Sequence, residues 1–156
     1  MTGIESIMNH EVVTIGKTES VRDAASIMRD HGLGALVVTD GGRICGLFSE
    51  RDLVNRVVAE GRDPASMTVG DACTSVVTTV EAGTPVEECY QLLKDKGFRH
   101  LPIRDAEGRP VGIVSARDFF RRLVVEVESH SEVTIEATCA KLGQLNELMA
   151  LINEHR

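Results

Sequence analysis

Gly46-Leu47-Phe48-Ser49-Glu50-Arg51-Asp52 returns 66 residues later as Gly112-Ile113-Val114-Ser115-Ala116-Arg117-Asp118. Glycine, serine, arginine and aspartate keep their places, and the residues before each serine are apolar in both copies. Apolar residues that run into Ser-x-x-Asp are typical of a strand that leads into a helix. A strand-to-helix junction that occurs twice indicates two copies of one structural unit.

The repeat extends upstream of these junctions. At an offset of 65 residues Gly32 meets Gly97 and Leu36 meets Leu101, and the apolar pattern around them is kept. One extra residue in a turn of the second copy explains the change of offset from 65 to 66. The pattern of each copy predicts a strand, a helix, a hairpin of two strands and a second helix, so the unit is β-α-β-β-α.

The first helix of each copy has clear start and stop signals. Its apolar residues recur at the spacing of one helix face. Its N-cap candidates are Ser20 and Thr84, with Pro85 at the first helical position of the second copy and Gly32 and Gly97 as stops.

The strands and the second helices follow from the same periodicity. The predicted strands are residues 12–15, 35–39 and 44–48 in the first copy and 76–80, 99–104 and 110–114 in the second. The second helices begin after Ser49 and Ser115, and their predicted core residues are Leu53, Val54, Val57 and Val58, then Phe119, Phe120, Leu123 and Val124.

The predicted fold class is α/β (α+β), with two β-α-β-β-α repeats packed about a pseudo-twofold axis and a C-terminal strand/helix extension. A unit of about 60 residues buries little surface by itself, so the two copies are expected to pack on each other. The predicted organisation is residues 3–60 for the first domain, 61–68 for a linker, 69–125 for the second domain and 126–156 for the extension.

The extension has no counterpart in the repeat. Residues 131–138 alternate apolar and polar side chains, which predicts a short strand. The helix predicted after them packs either on the two repeats or on a second copy of the chain, and we expect the second copy, hence a homodimer. Its apolar residues are too few for a coiled coil by itself: Leu142, Leu145, Leu148, Met149 and Ile152.

Composition and charge exclude several classes of partner. The 156 residues carry 17 Lys+Arg against 24 Asp+Glu, a formal net charge of −7. Nucleic acids and anionic membranes attract basic surfaces, so neither is predicted as a partner. Because the apolar runs are too short to span a bilayer and the first residues lack the pattern of a signal peptide, the predicted location is cytoplasmic.

The four cysteines, Cys45, Cys73, Cys89 and Cys139, lack the spacing of a metal site. The first three fall opposite apolar residues of the other copy, so they are predicted to be core residues of a reduced protein. No metal or cofactor is predicted. No P-loop or arrangement of catalytic residues stands out, so the chain is predicted not to be an enzyme.

Ser49-x-x-Asp52 and Ser115-x-x-Asp118 have two compatible interpretations. The spacing is that of a capping box, which satisfies backbone groups at a helix start without any ligand. The same position offers N–H groups and a helix dipole to a phosphate, and the aspartate offers acceptor oxygens to a ribose diol. The arginine before each aspartate lies where the dipole disfavours a cation, which indicates an anion or a carboxylate partner.

With these junctions the sequence resembles a tandem pair of cystathionine β-synthase (CBS) domains, also called a Bateman module. The resemblance covers about residues 3–125 and implies a small stand-alone module. Such modules have two clefts between paired domains, often bind adenosine nucleotides or related ligands, and regulate another protein by changing shape. The other matching segments are Gly97–Ile103, its weaker partner Gly32–Val38, and the lead-in segments Ile4–Met8 and Val69–Cys73.

The resemblance also implies which residues line the clefts, since each cleft takes Ser-x-x-Asp from one domain and strand residues from the other. Backbone amides and apolar side chains would hold the base. The first cleft would combine Ser49, Arg51 and Asp52 with Thr79, Val80, Arg99, His100, Leu101 and Pro102, and the second would combine Ser115, Arg117 and Asp118 with Thr14, Ile15, Ala35, Leu36 and Val37.

The two predicted clefts differ in charge. Arg99 and His100 can meet phosphate oxygens, whereas the first copy has Gly34 and Ala35 at those positions. A phosphorylated ligand is therefore expected in the first cleft. The alternative is that Arg99 and His100 form a solvated strand edge or pair with acidic groups.

The predicted function is a regulatory module that senses an adenosine nucleotide such as AMP, ADP or ATP and responds by a change of conformation. The alternative is a structural or adaptor module of the same fold, with an empty cleft, that acts through protein contacts. An Asp52→Ala substitution distinguishes the two, because only a sensor loses ligand-dependent stabilisation.

Overall fold

The computed structural model describes residues 2–75, 77–129 and 135–153. Within these residues the element order is β-α-β-β-α twice, as predicted, followed by a C-terminal helix. A 3-10 helix covers Ile4–Ser6. The strands are β1 Thr14–Gly16, β2 Ala35–Asp40, β3 Arg43–Ser49, β4 Val80–Glu81, β5 His100–Arg104 and β6 Pro110–Ser115, and the helices are α1 Val21–His31, α2 Glu50–Asp52 with a π-helical continuation Leu53–Val58, α3 Val69–Ala72, α4 Val86–Lys96, α5 Ala116–Ser129 and α6 Ile135–Asn153.

Helix α1 begins and ends where the sequence predicts. The Ser20 Oγ accepts a hydrogen bond from the Asp23 N–H at 3.0 Å and so caps the first turn. Val21 and Met28 belong to its buried stripe. Gly32 ends the helix in the left-handed region at a φ of 64°, which a residue with a Cβ rarely adopts.

Helix α4 begins one residue later than predicted. Pro85 is the N-cap rather than the first helical residue, because its ψ of 140° is extended, so the helix begins at Val86. Thr84 therefore precedes the cap, and its N–H donates to the Glu81 carbonyl oxygen at 3.0 Å in the turn before it. Gly97 ends the helix at a φ of 66°, as predicted.

Two three-stranded sheets form within the described residues, in the orders β1-β2-β3 and β4-β5-β6. In the first sheet β1 pairs in parallel with β2, and β2 pairs antiparallel with β3. The first strand of each sheet is shorter than predicted, since β1 begins at Thr14 and β4 contains only Val80 and Glu81. Val76, in the predicted strand 76–80, lies outside the described residues.

The chain divides into two compact units that do not follow the repeat boundaries. Unit 1 contains residues 1–10, 80–103 and 112–156, and unit 2 contains residues 11–79 and 104–111. In unit 1, Asn9 forms a bridge with Ile113 on β6, and in unit 2, Thr74 forms a bridge with Leu47 on β3. Each unit therefore contains the lead-in segment that precedes the other copy in the sequence.

The lead-in segments explain the glycine that opens each junction. A Cβ at Gly46 would lie 2.8 Å from the Cys73 Sγ and 2.9 Å from the Thr74 carbonyl oxygen. A Cβ at Gly112 would overlap the thioether of Met8. Sulfur side chains at equivalent positions of the two copies thus fill the space that these glycines leave open.

The structure corrects the core residues that were predicted for the second helix of the first copy. Val57 is fully buried, but Val54 and Val58 are 56% and 66% exposed. The predicted stripe was wrong at these two residues, because the segment packs Leu53 and Val57 against the core and leaves Val54 and Val58 outside it. In the second copy Phe119 is buried, whereas Phe120, Leu123 and Val124 are half-buried.

Helix α6 packs on α5 and α4 within unit 1. Leu148 is fully buried in this contact region. The Tyr90 hydroxyl donates to the Glu147 Oε2 at 2.5 Å, and the Lys94 Nζ donates to the Glu147 Oε1 at 3.2 Å. These contacts correspond to the alternative in which the helix packs on the repeats of its own chain.

The strand predicted over residues 131–138 is wrong for residues 135–138, which form the first turn of α6. Residues 131–134 lie outside the described residues. Alternation over so few residues does not outweigh the helical spacing that follows it. No described helix is both long enough and apolar enough to cross a membrane.

Candidate functional site

Ser49 and Asp52 form a complete capping box at the start of α2. The Ser49 Oγ accepts from the Asp52 backbone N–H at 3.2 Å, and the Asp52 Oδ2 accepts from the Ser49 backbone N–H at 2.9 Å. The Ser49 hydroxyl also donates to the same Oδ2 at 3.1 Å. The capping interpretation is therefore confirmed for this copy.

The other oxygen of Asp52 faces an arginine. Asp52 is only 8% exposed, and its Oδ1 lies 3.5 Å from the Arg56 Nε. The Arg56 Nη1 also donates to the carbonyl oxygens of Ala72 at 3.3 Å and Cys73 at 2.8 Å. Arg56 thus joins the helix to the lead-in segment of unit 2, and both oxygens of Asp52 have partners.

The Asp118 carboxylate accepts from its serine as Asp52 does but keeps one oxygen without a partner. The Asp118 Oδ2 accepts from the Ser115 backbone N–H at 2.7 Å and from the Ser115 hydroxyl at 2.8 Å. Within the described residues, no group donates a hydrogen bond to the Asp118 Oδ1. Because Asp118 is half-buried rather than buried, this oxygen can accept from a ligand hydroxyl.

Arg99 and His100 lie beside this cap in unit 1. The Ala116 N–H, in the first turn of α5, donates to the Arg99 carbonyl oxygen at 3.1 Å. Burial, together with the positive charges of Arg99 and Arg117, lowers the pKa of His100 to about 4 against the opposing effect of the Asp118 carboxylate. The imidazole is therefore neutral at neutral pH, and the two guanidinium groups supply the positive charge near the helix start.

The equivalent corner of unit 2 has the same backbone but different charges. The Glu50 N–H donates to the Gly34 carbonyl oxygen at 3.0 Å. Gly34 and the buried Ala35 carry no charge, and the Glu50 carboxylate lies 3.6 Å from the position that a Cβ at Gly34 would take. The strand beside Ser115 thus supplies a cation, whereas the strand beside Ser49 supplies none.

The apolar residues predicted for the clefts are mostly buried. Leu36, Val37 and Leu101 have no exposed surface, so a ligand could meet them only through their backbone. Of the remaining strand residues, Ile15, Ala35, Val80 and Pro102 are buried, Thr79 is half-buried and Thr14 is exposed.

The structure groups the predicted residues by unit. Unit 1 brings Arg99 and His100 to Ser115, Arg117 and Asp118, although the sequence assigned these two groups to different clefts. Each predicted cleft draws on residues of both units, so the two cleft compositions stay predictions. In unit 2 the strand register places Thr14 beside Val37 and Ala35 beside Ser49.

Sequence reasoning missed the role of Arg56 and Arg122. The Arg122 Nη1 donates to the Ser6 Oγ at 3.1 Å, so this arginine binds the lead-in segment of unit 1 as Arg56 binds that of unit 2. The signal was available, because the offset of 66 residues places Arg56 on Arg122. The repeat shows that the arginine recurs, but no sequence motif indicates that its partner is a backbone segment distant in sequence.

The described cysteines are packing residues. Cys73 and Cys89 are buried, as predicted, while Cys45 is half-buried. Burial raises the pKa of all three thiols, so they are protonated at neutral pH. Over residues 2–75, 77–129 and 135–153, no cluster of three or more His, Cys, Asp or Glu side chains could hold a metal ion.

The repeated unit and its paired Ser-x-x-Asp helix starts define a class of small α/β modules built from two tandem copies. The family model of the CBS domain matches this chain twice, over residues 4–59 and 69–125. The chain belongs to the CBS-domain family and contains a tandem pair.

Relatives occur in archaea and bacteria. The chain is 34% identical over 142 residues to protein MK0525 of Methanopyrus kandleri, covering 90% of this chain and 70% of that protein. It is 34% identical over 124 residues to hypoxic response protein 1 of Mycobacterium tuberculosis, covering 79% of this chain and 86% of that protein.

Solved structures of similar proteins share the fold. Hypoxic response protein I, solved with two coordinated zinc ions, has a TM-score of 0.70 and 32% identity, covering 77% of this chain and 98% of that one. The CBS-domain containing protein ATU1752 from Agrobacterium tumefaciens has a TM-score of 0.69 and 31% identity, covering 78% of this chain and 98% of that one.

Proposed function

We propose that this chain is a regulatory module that binds an adenosine-containing ligand and signals by a change of conformation. The observation that carries the proposal is the corner of unit 1 where Arg99, His100 and Arg117 adjoin Asp118, whose Oδ1 has no hydrogen-bond partner in the described part of the chain. A helix cap alone requires neither the adjoining cations nor this available oxygen. A ribose hydroxyl can donate to Oδ1, and a phosphate can meet the guanidinium groups at the start of α5.

Family membership supports the class of ligand. The CBS domain pair of protein MJ0100 was solved in complex with 5′-methylthioadenosine and S-adenosyl-L-methionine, and its likeness to this chain, 23% identity at a TM-score of 0.73, concerns the fold. Adenosyl compounds are therefore the first ligands to test. Arg99 and Arg117 favour the phosphorylated ones, AMP, ADP and ATP, over S-adenosylmethionine.

The proposal also covers the cellular location and the oligomeric state of the module. It acts as a cytoplasmic homodimer and catalyses no reaction itself. The free thiols of Cys45, Cys73 and Cys89 fit a reducing compartment. Val54 and Val58 give unit 2 an exposed apolar face that a second copy can cover. Sedimentation equilibrium on the full chain tests the dimer, and a monomer mass at every concentration would contradict it.

A thermal-shift panel on the purified chain tests the ligand. AMP, ADP, ATP, S-adenosylmethionine, NADH and inorganic phosphate are compared at equal concentrations. A ligand at about 100 times its dissociation constant adds about 2.7 kcal/mol to the free energy of unfolding, which raises the melting temperature by several degrees. We expect a shift with an adenosine nucleotide that is lost in Asp118→Ala and kept in Asp52→Ala, because the Asp52 carboxylate is already bound to its own cap and to Arg56. A flat panel on folded protein would refute the sensor and favour the adaptor.

A further inference from the structure

A cavity lies within unit 2, and its lining does not include Ser49 or Asp52. Its volume is about 390 Å³, within the range of small-ligand sites. Its lining comes from the start of β3, from Ser75, Val77 and Thr79, and from the loop of residues 104–108. All three belong to unit 2.

The backbone of the loop holds an arginine at the cavity. The Ile44 N–H donates to the Gly108 carbonyl oxygen at 2.9 Å, which joins the start of β3 to the loop. Gly108 has a φ of 84°, and the Arg43 Cγ and Cδ lie 3.8 Å and 3.9 Å from the position of a Cβ there. The stem of Arg43 therefore lies beside Gly108, and Arg43 is one of the residues that line the cavity.

The lining also includes a second arginine and two residues with hydroxyl groups. The Arg104 Nε donates to the Thr79 Oγ1 at 3.2 Å, and the Arg104 Nη1 donates to the Asp105 carbonyl oxygen at 3.2 Å. Since the Thr79 oxygen accepts this bond, its own hydroxyl hydrogen stays available to donate. The Ser75 hydroxyl has no hydrogen-bond partner among the residues that the structure describes.

The two acidic groups of the loop pair with one arginine that is not part of the cavity wall. The Arg109 Nε donates to the Asp105 Oδ2 at 2.8 Å, and the Arg109 Nη2 donates to the Glu107 Oε2 at 3.1 Å. Glu107 is the acidic residue of the cavity wall, while Arg109 is not part of that wall. Arg43 forms no ion pair with any described residue. The charged residues that line the cavity are therefore two arginines and one glutamate, in a chain with a net charge of −7.

We propose that this cavity binds the phosphate group of a small phosphate ester, with the organic part against Ile44, Val77 and Ala106. Two arginines and two hydroxyl-bearing residues line the cavity, and a phosphate offers such donors more charge and more acceptor oxygens than a carboxylate does. The site is separate from the proposed adenosine site beside Asp118. It shares only Thr79 with the residues predicted for a cleft.

The test is a ¹⁵N NMR titration of the full chain with glycerol 3-phosphate, with glycerol and succinate as neutral and carboxylate controls. We expect saturable shifts of the amides of Ile44, Thr79 and Gly108 with glycerol 3-phosphate. Arg43→Gln should lower the affinity about tenfold or more, because it removes a charge-assisted hydrogen bond. Arg62→Gln is the matched control, since Arg62 is an exposed arginine of unit 2 outside the cavity.

Three outcomes would each overturn the proposal. Shifts that fail to saturate or to localise at these amides, or an equal loss of affinity in Arg43→Gln and Arg62→Gln, would show nonspecific attraction. Binding of succinate as tight as that of glycerol 3-phosphate would refute the assignment to phosphate. Asp118→Ala distinguishes this site from the proposed adenosine site, because it should retain the shifts with glycerol 3-phosphate.

Discussion

Asp52 and Asp118 occupy the same place in the two copies, yet their carboxylates have different contacts. Asp52 is buried, caps its helix and faces Arg56, so its carboxylate is committed to structure. Asp118 uses one oxygen for its cap and adjoins two arginines and a neutral histidine. A single motif can therefore serve stability in one copy and recognition in the other.

His100 predicts a dependence of stability on pH. Its pKa is about 4 in the folded chain and 6.5 when exposed, so the unfolded chain binds more protons between these values. The free energy of unfolding should therefore fall as the pH falls from 6.5 towards 4. When the free energy of unfolding is measured with urea across this pH range, its slope against pH should be smaller in His100→Gln than in the wild type. His31→Gln, at an exposed histidine, should keep the wild-type slope; equal slopes in all three proteins would contradict the account.

The two junction glycines predict unequal costs for the same substitution. Gly46→Ala pushes a methyl group against the Thr74 carbonyl oxygen and the Cys73 Sγ, neither of which can move freely. We expect a loss of about 1–3 kcal/mol. Gly112→Ala meets the flexible thioether of Met8, which can adopt another rotamer, so its cost should stay below that of Gly46→Ala. Urea unfolding of both variants measures the difference, and the reverse order would refute this view of the lead-in segments.

At the scale of elements, α6 offers a matched pair of leucines. Leu148 is fully buried, whereas Leu142 on the same helix is 48% exposed. Leu148→Ala should lower the free energy of unfolding by about 2–4 kcal/mol, because it leaves a cavity. Leu142→Ala should change it by less than about 0.5 kcal/mol in the monomer. Similar values for the two variants in urea unfolding would mean that α6 does not pack on unit 1 as described.

Periodic elements with clear caps were predictable from the sequence. The burial of individual residues and their neighbours in space were less predictable. Ser20 and Gly32 mark the bounds of α1 by local chemistry, which a sequence shows directly. Val54 and Val58 match a helical stripe, but tertiary packing leaves them exposed, and no local pattern encodes that packing. The neighbours of Arg99 were likewise hidden, because the assignment of a residue to a unit depends on contacts between segments distant in sequence.

At the scale of the whole molecule, the units are assembled from segments of both copies. Unit 2 includes Val69, Ala72 and Cys73, all buried, which follow the first copy in the sequence. A fragment of residues 1–66 should therefore fail to fold, because it lacks these core residues. Coexpression with residues 67–156 should restore the folded module. Urea unfolding followed by circular dichroism checks the fragment alone and the coexpressed pair. A cooperative unfolding transition of the fragment alone would contradict the claim that each unit needs the lead-in segment that precedes the other copy.

The central claim is that the Asp118 corner binds an adenosine nucleotide rather than only capping a helix. Isothermal titration of AMP into the wild-type chain, Asp118→Ala and Ser20→Ala tests it directly, because each substitution removes a helix cap worth about 1 kcal/mol. The account predicts saturable binding to the wild type and to Ser20→Ala, and at least about tenfold weaker binding to Asp118→Ala. Equal affinity of all three proteins for AMP, or no heat of binding in the wild type, would contradict it.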